Sequence, residues 1–352
     1  MYIASFALSV LSILSKNKFS ALAATYFLLF IVLAFVGLRD GIGSDWASYS
    51  QLYSFSWEGK NDAMPNTGFN AIYHFFYSMG SEFNYLVLFV TFIALLPILR
   101  LSKNYKYSII VLFLYFTVYL ISLMGLMRQM IAVSLCLLAA EKLYQGRGRQ
   151  YLAYVIAAIF FHTSAALFFL AYFVQKVNIS IRVIFFVLIM SIAFNYLLVE
   201  QMGYYLIHHD IMAHKVKEYF FLSDYNQIPP YYSSNSLHTV IMFAQKLLFL
   251  AIFFYYFTKV SYSHRGVFYL KIYSLSFVMN MVFYLSIPVL AIRGSIYFSI
   301  VEIVLLALLC EHTRYKWLFI FLILLYGGIK YFKIILSFST QIIPYQSVFS
   351  SL

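Results

Sequence analysis

The chain has 352 residues, of which 63% are hydrophobic and 10% are charged, and its mean hydropathy of +0.84 excludes a water-soluble domain of ordinary composition. The formal net charge is +12, but Lys and Arg are scattered between apolar runs instead of forming a patch, which argues against nucleic acid as a partner. The composition predicts an all-α polytopic membrane protein.

Apolar segments follow one another along the chain, most of them near the roughly 20 residues that cross the hydrocarbon core. They lie at about 1–15, 20–38, 84–100, 107–124, 127–143, 151–174, 183–199, 237–258, 271–287, 295–310 and 317–333. The first segment is followed by its lysines, which favours a retained helix over a signal peptide. The segments predict about 11–12 transmembrane helices in a single membrane domain, 1–352.

Basic residues predict the orientation, because short cytoplasmic loops carry the excess of Lys and Arg. Up to residue 149, eight basic residues fall on one side, at positions 16, 18, 100, 103, 106, 142, 147 and 149. Three fall on the other side, at positions 39, 60 and 128. The first group marks the inside, so residues 39–83 form an external loop.

Residues 151–174 are ambiguous, because 24 apolar residues fit either one long span or two short half-helices that meet at His162. A short helical hairpin leaves seven downstream basic residues inside and five outside, and a single span reverses that count. The hairpin is therefore favoured. It places a second polar loop, 200–236, and the C-terminal tail on the external side.

Three arginines lie on this predicted external side, each at the edge of an apolar segment. An arginine at the centre of a membrane helix costs roughly 3 kcal/mol, so it persists where something anionic or aqueous compensates it. Arg39 follows a helix whose C-terminal dipole favours a cation, and snorkelling explains it equally well. Arg128 and Arg293 start their helices, where a lone cation is disfavoured and a lipid phosphate or pyrophosphate resolves the conflict.

Three further side chains carry two readings each. His162, in FFHTSAAL, is either a satisfied core histidine or a general base. Asp45, in GIGSD, is either a carboxylate base or a turn-forming residue. Lys246, about two turns into its helix, either snorkels outward or meets a lipid phosphate. The stretch HHDIMAH matches no zinc spacing, so neither a metal nor a cofactor is predicted.

Five motifs occur along the chain in the order RDGIGSDWASY, LMGLMRQMIAVSL, FHTSA, IRGSIYF and IIPYQSVF. In this order and membrane context the chain resembles, over nearly its whole length, the EpsG-like branch of the bacterial polysaccharide polymerases that includes many Wzy O-antigen polymerases. The resemblance implies a GT-C-type glycosyltransferase of the bacterial inner (cell) membrane, independent of metal and nucleotide sugars, with its active site facing the periplasm. The implied reaction transfers a growing glycan from undecaprenyl pyrophosphate to the non-reducing end of the next lipid-linked repeat unit.

The resemblance also implies roles for residues of this sequence. Pyrophosphate is expected at Arg39, Arg128 and Arg293, and the acceptor hydroxyl at His162 or Asp45. Substrate contacts are expected at Gly43, Tyr49, Gln129, Lys246 and Tyr345. For Lys246 the expectation rests on its position within the helix and not on the resemblance. Expected partners are undecaprenyl-pyrophosphate-linked oligosaccharides, membrane lipids and a chain-length regulator. Loop 200–236 matches no motif.

Two other classes compete with a polymerase. A lipid-linked oligosaccharide flippase or transporter would also contain a cationic cavity, but its cations should line the pathway in depth, whereas here only Lys246 is deep. An O-antigen ligase uses similar chemistry with a different acceptor. Deletion of a polymerase gene leaves single repeat units attached to the lipid core, whereas deletion of a ligase or flippase leaves none.

Overall fold

The structure is a computed structural model that describes residues 5–7, 10, 18–43, 45–55, 67–178, 180–194, 236–284, 288–337, 339 and 343–351. Within these ranges the chain is helical, and extended pairing is limited to an isolated bridge between Arg39 and Ser347. The stretch HHDIMAH and nearly all of the loop at 200–236 lie outside the described residues.

The helices are numbered along the described chain. They are α1 (Lys18–Gly37), α2 (Trp46–Phe55), α3 (Thr67–Ser78), α4 (Phe83–Ser102), α5 (Ser108–Gly125), α6 (Met127–Tyr144), α7 (Gly148–Phe161), α8 (Leu170–Val174), α9 (Ile181–Phe194), α10 (Ser236–Tyr255), α11 (His264–Phe283), α12 (Pro288–Ser299), α13 (Glu302–His312) and α14 (Lys316–Ser337). Two 3-10 segments occupy Thr163–Phe169 and Val348–Ser351, and a π-helical turn occupies Tyr256–Val260.

Six helices of the described chain are long and apolar enough to cross a membrane. They are Phe83–Ser102, Ser108–Gly125, Val240–Val260, His264–Phe283, Leu290–His312 and Lys316–Ser337, and shorter apolar helices occupy Ala23–Gly37, Gly148–Phe161 and Thr163–Val174. The prediction of an all-α, multi-pass membrane protein is confirmed. The total of about 11–12 spans stays a prediction.

The chain forms two compact units. Unit 1 comprises residues 1–166 and 306–352, and unit 2 comprises residues 167–305. The single membrane domain stays a prediction.

Close helix packing in unit 1 depends on small residues, as is common where lipid replaces water. A Cβ atom on Gly327 of α14 would lie 2.5 Å from the Phe113 ring of α5, so only glycine permits this approach. Near it, the rings of Phe116 and Tyr331 pack with their centroids 5.6 Å apart. This contact holds α14 against the helix that leads to the candidate site.

The segment predicted as external loop 39–83 contains two helices, α2 and α3. Tyr49 and Tyr53 of α2 and Phe69 and Tyr73 of α3 are buried together in one apolar cluster. Their spacing of four residues within each helix puts them on one helical face. The two helices α2 and α3 are therefore packed on one another through this cluster.

Loops of unit 1 meet at two opposite ends. At one end, the Arg39 side chain donates to the Met124 carbonyl, and Arg39 bridges Ser347 of the C-terminal tail. At the other end, Tyr105 donates to Glu141 and the Lys106 amide donates to Glu311. This grouping agrees with the sides that the charge count predicts for these loops.

Candidate functional site

The loop after α1 packs directly on the junction of α5 and α6. Gly43 has φ +125°, and a Cβ atom there would lie 2.5 Å from the Met124 carbonyl oxygen. Both the positive φ and the close approach require glycine. Gly43 is thereby a structural residue of the loop, and its predicted substrate contact stays a prediction.

Arg39 is completely buried in this loop, with no exposed surface. Its Nε donates to the Ile42 carbonyl at 3.0 Å and Nη2 to the Met124 carbonyl at 2.8 Å, and Nη1 donates to the Val36 carbonyl. The guanidinium carbon lies 5.4 Å from the centre of the Trp46 ring. Burial lowers the pKa of Arg39 to about 9, which leaves the group cationic at neutral pH.

The C-terminal tail covers the same loop. Tyr345 stacks on Phe35 with ring centroids 4.8 Å apart, and its hydroxyl donates to the Phe35 carbonyl at 2.8 Å. The Asp40 amide donates to the Gln346 carbonyl. Burial raises the pKa of Tyr345 to about 12, against the nearby Arg39 charge, so its hydroxyl remains a donor. These contacts assign Tyr345 to the attachment of the tail, and its contact with substrate stays a prediction.

Arg128 differs from Arg39 in its environment. It is the second residue of α6 and is half-buried. Its Nε donates to the Tyr49 hydroxyl at 3.3 Å, and its guanidinium carbon lies 5.3 Å from the centre of the Tyr49 ring. Its terminal nitrogens, Nη1 and Nη2, form no hydrogen bond to a described residue, and no described carboxylate pairs with it. Four N–H donors at a helix N-terminus are thus available to an anion.

Tyr49 is held in turn by the aromatic cluster. It is 5% exposed, and its ring lies 5.9 Å from that of Phe69. The Tyr73 hydroxyl donates to the Tyr49 carbonyl at 3.3 Å. Burial raises the pKa of Tyr49, partly offset by Arg128, so the hydroxyl stays protonated. A rigid, uncharged ring therefore orients Arg128.

Asp45 begins the turn that leads into α2. Its carbonyl accepts from the Tyr49 amide at 3.0 Å, which is the first backbone hydrogen bond of α2. Its carboxylate is half-buried and close enough to the Tyr49 hydroxyl to raise the pKa of that group. The backbone bond to the Tyr49 amide does not depend on the aspartate side chain, so both readings of Asp45, as a base and as a turn-forming residue, stay predictions.

His162 lies at a helix break. The sequence predicts a break at this residue within the apolar segment 151–174, and the structure has one there. The residue follows α7 in an extended conformation, with φ −155° and ψ 114°, and the 3-10 segment starts at the next residue. Its Nδ1 is hydrogen-bonded to Ser164 Oγ at 2.7 Å, which fixes the ring. The preceding residue, Phe161, packs on the cluster that contains Tyr49 and Met127. His162 is thereby brought to the Arg128 end of unit 1.

The remaining predicted site residues are Gln129 in unit 1 and two basic residues in unit 2. Gln129 is 2% exposed on α6. In unit 2, Lys246 is half-buried on α10, and Arg293 is half-buried on α12. Because α12 begins at Pro288, Arg293 lies beyond its first turn, where the helix dipole no longer acts, so the dipole argument for Arg293 is wrong. The convergence of Arg293 with Arg128 stays a prediction.

Sequence reasoning missed two side chains that organise the site. Trp46 covers the Arg39 guanidinium, and Tyr73 supports the backbone of Tyr49. The signal was present as aromatic residues three to four positions apart, Trp46, Tyr49 and Tyr53, and then Phe69 and Tyr73. That spacing predicts two amphipathic helices where a polar loop was expected.

Comparison with known protein families identifies a match over most of the chain. The model of the EpsG family matches residues 22–347, which include Arg39, Arg128, His162 and Arg293. No curated protein and no solved structure matches the chain.

Proposed function

The chain belongs to the EpsG family, and on that premise we propose that it is a membrane glycosyltransferase that polymerises lipid-linked oligosaccharide repeat units. Family membership indicates a polysaccharide polymerase-type role. The finer proposal is a GT-C-type enzyme of the bacterial inner membrane whose site faces the periplasm. Its substrates are undecaprenyl-pyrophosphate-linked oligosaccharides, and it uses neither a metal nor a nucleotide sugar.

This proposal rests on the terminal nitrogens of the Arg128 guanidinium, which remain available to an anion. These nitrogens have no hydrogen-bond partner among the described residues, although the side chain is half-buried and held on one side by Tyr49. An oriented arginine fork beside a helix N-terminus matches the paired oxygens of a phosphate. The pyrophosphate of a lipid-linked glycan has that chemistry.

The proposed reaction is a direct displacement. A hydroxyl at the non-reducing end of the acceptor repeat bonds to the anomeric carbon of the donor glycan, as the bond from that carbon to the phosphate oxygen breaks. The electron pair leaves on undecaprenyl pyrophosphate, and the acceptor proton passes to His162 or Asp45. Arg128 stabilises the leaving group, because negative charge accumulates there in the transition state.

Arg39 receives a different role from the one the sequence suggested. Three carbonyl acceptors engage its guanidinium, and the side chain is fully buried. We therefore propose that Arg39 positions the loop against Met124. Its buried positive charge also contributes to the electrostatic attraction of the site for an anion. Arg293 is retained in the proposal as a second pyrophosphate ligand.

The test is reconstitution of the purified protein in liposomes with a defined lipid-linked repeat unit, followed by electrophoresis of the products. The wild type should form a ladder of glycans and release undecaprenyl pyrophosphate. Arg128→Ala should lower the rate by roughly 100-fold, the scale of losing a preorganised transition-state donor. Arg128→Lys should recover only part of it, since an ammonium group lacks the planar fork.

Lys259→Ala is the matched control, because Lys259 is an exposed cation of unit 2 and its removal should leave the rate unchanged. A well-folded Arg128→Ala that builds long ladders at the wild-type rate contradicts the proposal. A protein that moves the lipid-linked repeat across the bilayer without lengthening it is a flippase, and this outcome also contradicts the proposal.

A further inference from the structure

The end of unit 1 opposite Arg128 carries a dense set of exposed cations. We call it the basic face, and it consists of Arg100, Lys103, Lys106, Arg147, Arg149, Arg314 and Lys316. These residues are far apart in sequence and come from the ends of α4, α7, α14 and the turns beside them. The fold therefore collects charges that the sequence scatters.

Two glutamates hold the loops of the basic face together. Glu141 is 1% exposed and accepts from the Tyr105 hydroxyl at 3.1 Å and from Gln145 Nε2 at 2.8 Å. Glu311 accepts from the Lys106 amide at 2.6 Å. Both carboxylates are thus engaged by uncharged donors of the loops.

The cations of the basic face are left uncompensated. None of the seven forms an ion pair or a side-chain hydrogen bond with any residue in the described part of the chain. Lys106 and Lys316 instead lie 5.9 Å from the centres of the Tyr107 and Trp317 rings. The seven cations outnumber the two glutamates and pair with neither, so their mutual repulsion makes this surface favour an anionic partner.

The apolar surface next to these cations identifies the kind of partner. Trp317 is 60% exposed and Tyr315 is 73% exposed, which is typical of side chains at a membrane interface. Beyond them, Leu318 and Phe321 continue an exposed apolar stripe along α14. A cationic surface followed by an aromatic belt and then by apolar surface matches the order of headgroup, interface and acyl chain in a phospholipid.

We propose that the basic face binds the headgroup phosphates of anionic phospholipids, with their acyl chains along the first turns of α14. The charge and the adjoining apolar stripe together distinguish such a lipid from a soluble acidic partner, which would contact only the cations. This site is separate from the Arg128 site and does not depend on the proposed polymerase activity.

The test measures lipid binding directly. Purified protein is titrated with phosphatidylglycerol and, separately, with phosphatidylcholine of the same chain length, and retained lipid is counted by native mass spectrometry. Phosphatidylglycerol should bind more tightly. Because each basic residue near an anionic surface contributes roughly fivefold in affinity, Arg147→Gln with Arg314→Gln should weaken binding about 25-fold.

Three comparisons make the result decisive. The pair Lys176→Gln and Lys259→Gln removes two exposed cations of unit 2 and should leave the affinity near the wild-type value. A second pair on the basic face, Lys103→Gln and Lys316→Gln, should repeat the loss if the first pair misfolds. Glycerol 3-phosphate has the headgroup chemistry without acyl chains and should bind far more weakly than phosphatidylglycerol.

Equal binding of the two lipids would overturn the proposal. An unchanged affinity for phosphatidylglycerol in both basic-face pairs would also overturn it. Binding of glycerol 3-phosphate as tight as that of the lipid would indicate a site for free phosphate and would overturn it as well.

Discussion

The contact between Tyr49 and Arg128 supplies the sharpest test of the site. Tyr49→Phe removes the hydroxyl that accepts from Arg128 Nε at 3.3 Å but keeps the ring. A long hydrogen bond of this kind to a charged group contributes about 1 kcal/mol, which is roughly fivefold in rate. Tyr49→Leu also removes the cation–π contact at 5.3 Å, a further loss of about 1 kcal/mol. The expected decreases in kcat/KM are therefore about fivefold and about 30-fold.

The assay is the reconstituted polymerisation reaction, with kcat and KM measured separately. Since Arg128 acts mainly on the leaving group, most of the loss should appear in kcat. The Tyr49 variants should also be inhibited less by added undecaprenyl pyrophosphate, because the Arg128 guanidinium binds this product.

Tyr53 is the matched control. It belongs to the same buried cluster and donates to the Ser81 carbonyl, but it does not contact Arg128. Tyr53→Leu therefore removes a similar apolar volume without disturbing the guanidinium. If Tyr53→Leu and Tyr49→Leu reduce kcat/KM equally, the effect comes from loss of packing, and the reasoning that Tyr49 orients Arg128 is refuted.

Two further predictions concern the loop and the tail. Gly43→Ala should cost about 1–3 kcal/mol in folding free energy and lower the unfolding temperature in detergent, because of φ +125° and the Met124 carbonyl at 2.5 Å. Gly148→Ala, where a Cβ atom meets nothing within 4 Å, should not lower that temperature, and equal effects would contradict the strain argument. Arg39→Met leaves three carbonyls without their donor, so it should loosen the loop to which the tail is bonded through the Asp40 and Val348 amides. Maleimide labelling of a Val348→Cys variant, at a half-buried position, should then rise roughly tenfold. The effect should be the same at pH 6 and pH 8, since the pKa of Arg39 in the folded protein is about 9 and its unfolded value is higher, so the group is protonated in both states. Cys136 and Cys310 are buried and should give little background, and failure of an impermeant maleimide to label Gln346→Cys in intact cells would contradict an external tail.

The sequence by itself was enough to predict the helical membrane fold and the grouping of the loops of unit 1 at two ends. Hydropathy and loop charge are local properties of the chain, and the bilayer converts them directly into spans and sides. The helix break at His162 was predicted from loop charge as well, because the downstream count of Lys and Arg favours a hairpin over one long span. The motifs that carry the family resemblance are also short and local.

Only the tertiary structure distinguished the environments of the two arginines. In sequence, Arg39 and Arg128 are both single cations at the edge of an apolar run, and they differ only in the end of the helix that each occupies. Arg39 turns inward because the carbonyls of Val36 and Ile42, and that of Met124, 85 positions away, together satisfy its guanidinium. Arg128 keeps its terminal donors available because Tyr49, 79 positions away, engages only one edge of the group. Local pattern cannot predict such partners, because the distances that matter are set by packing between α2, α3 and the junction of α5 and α6.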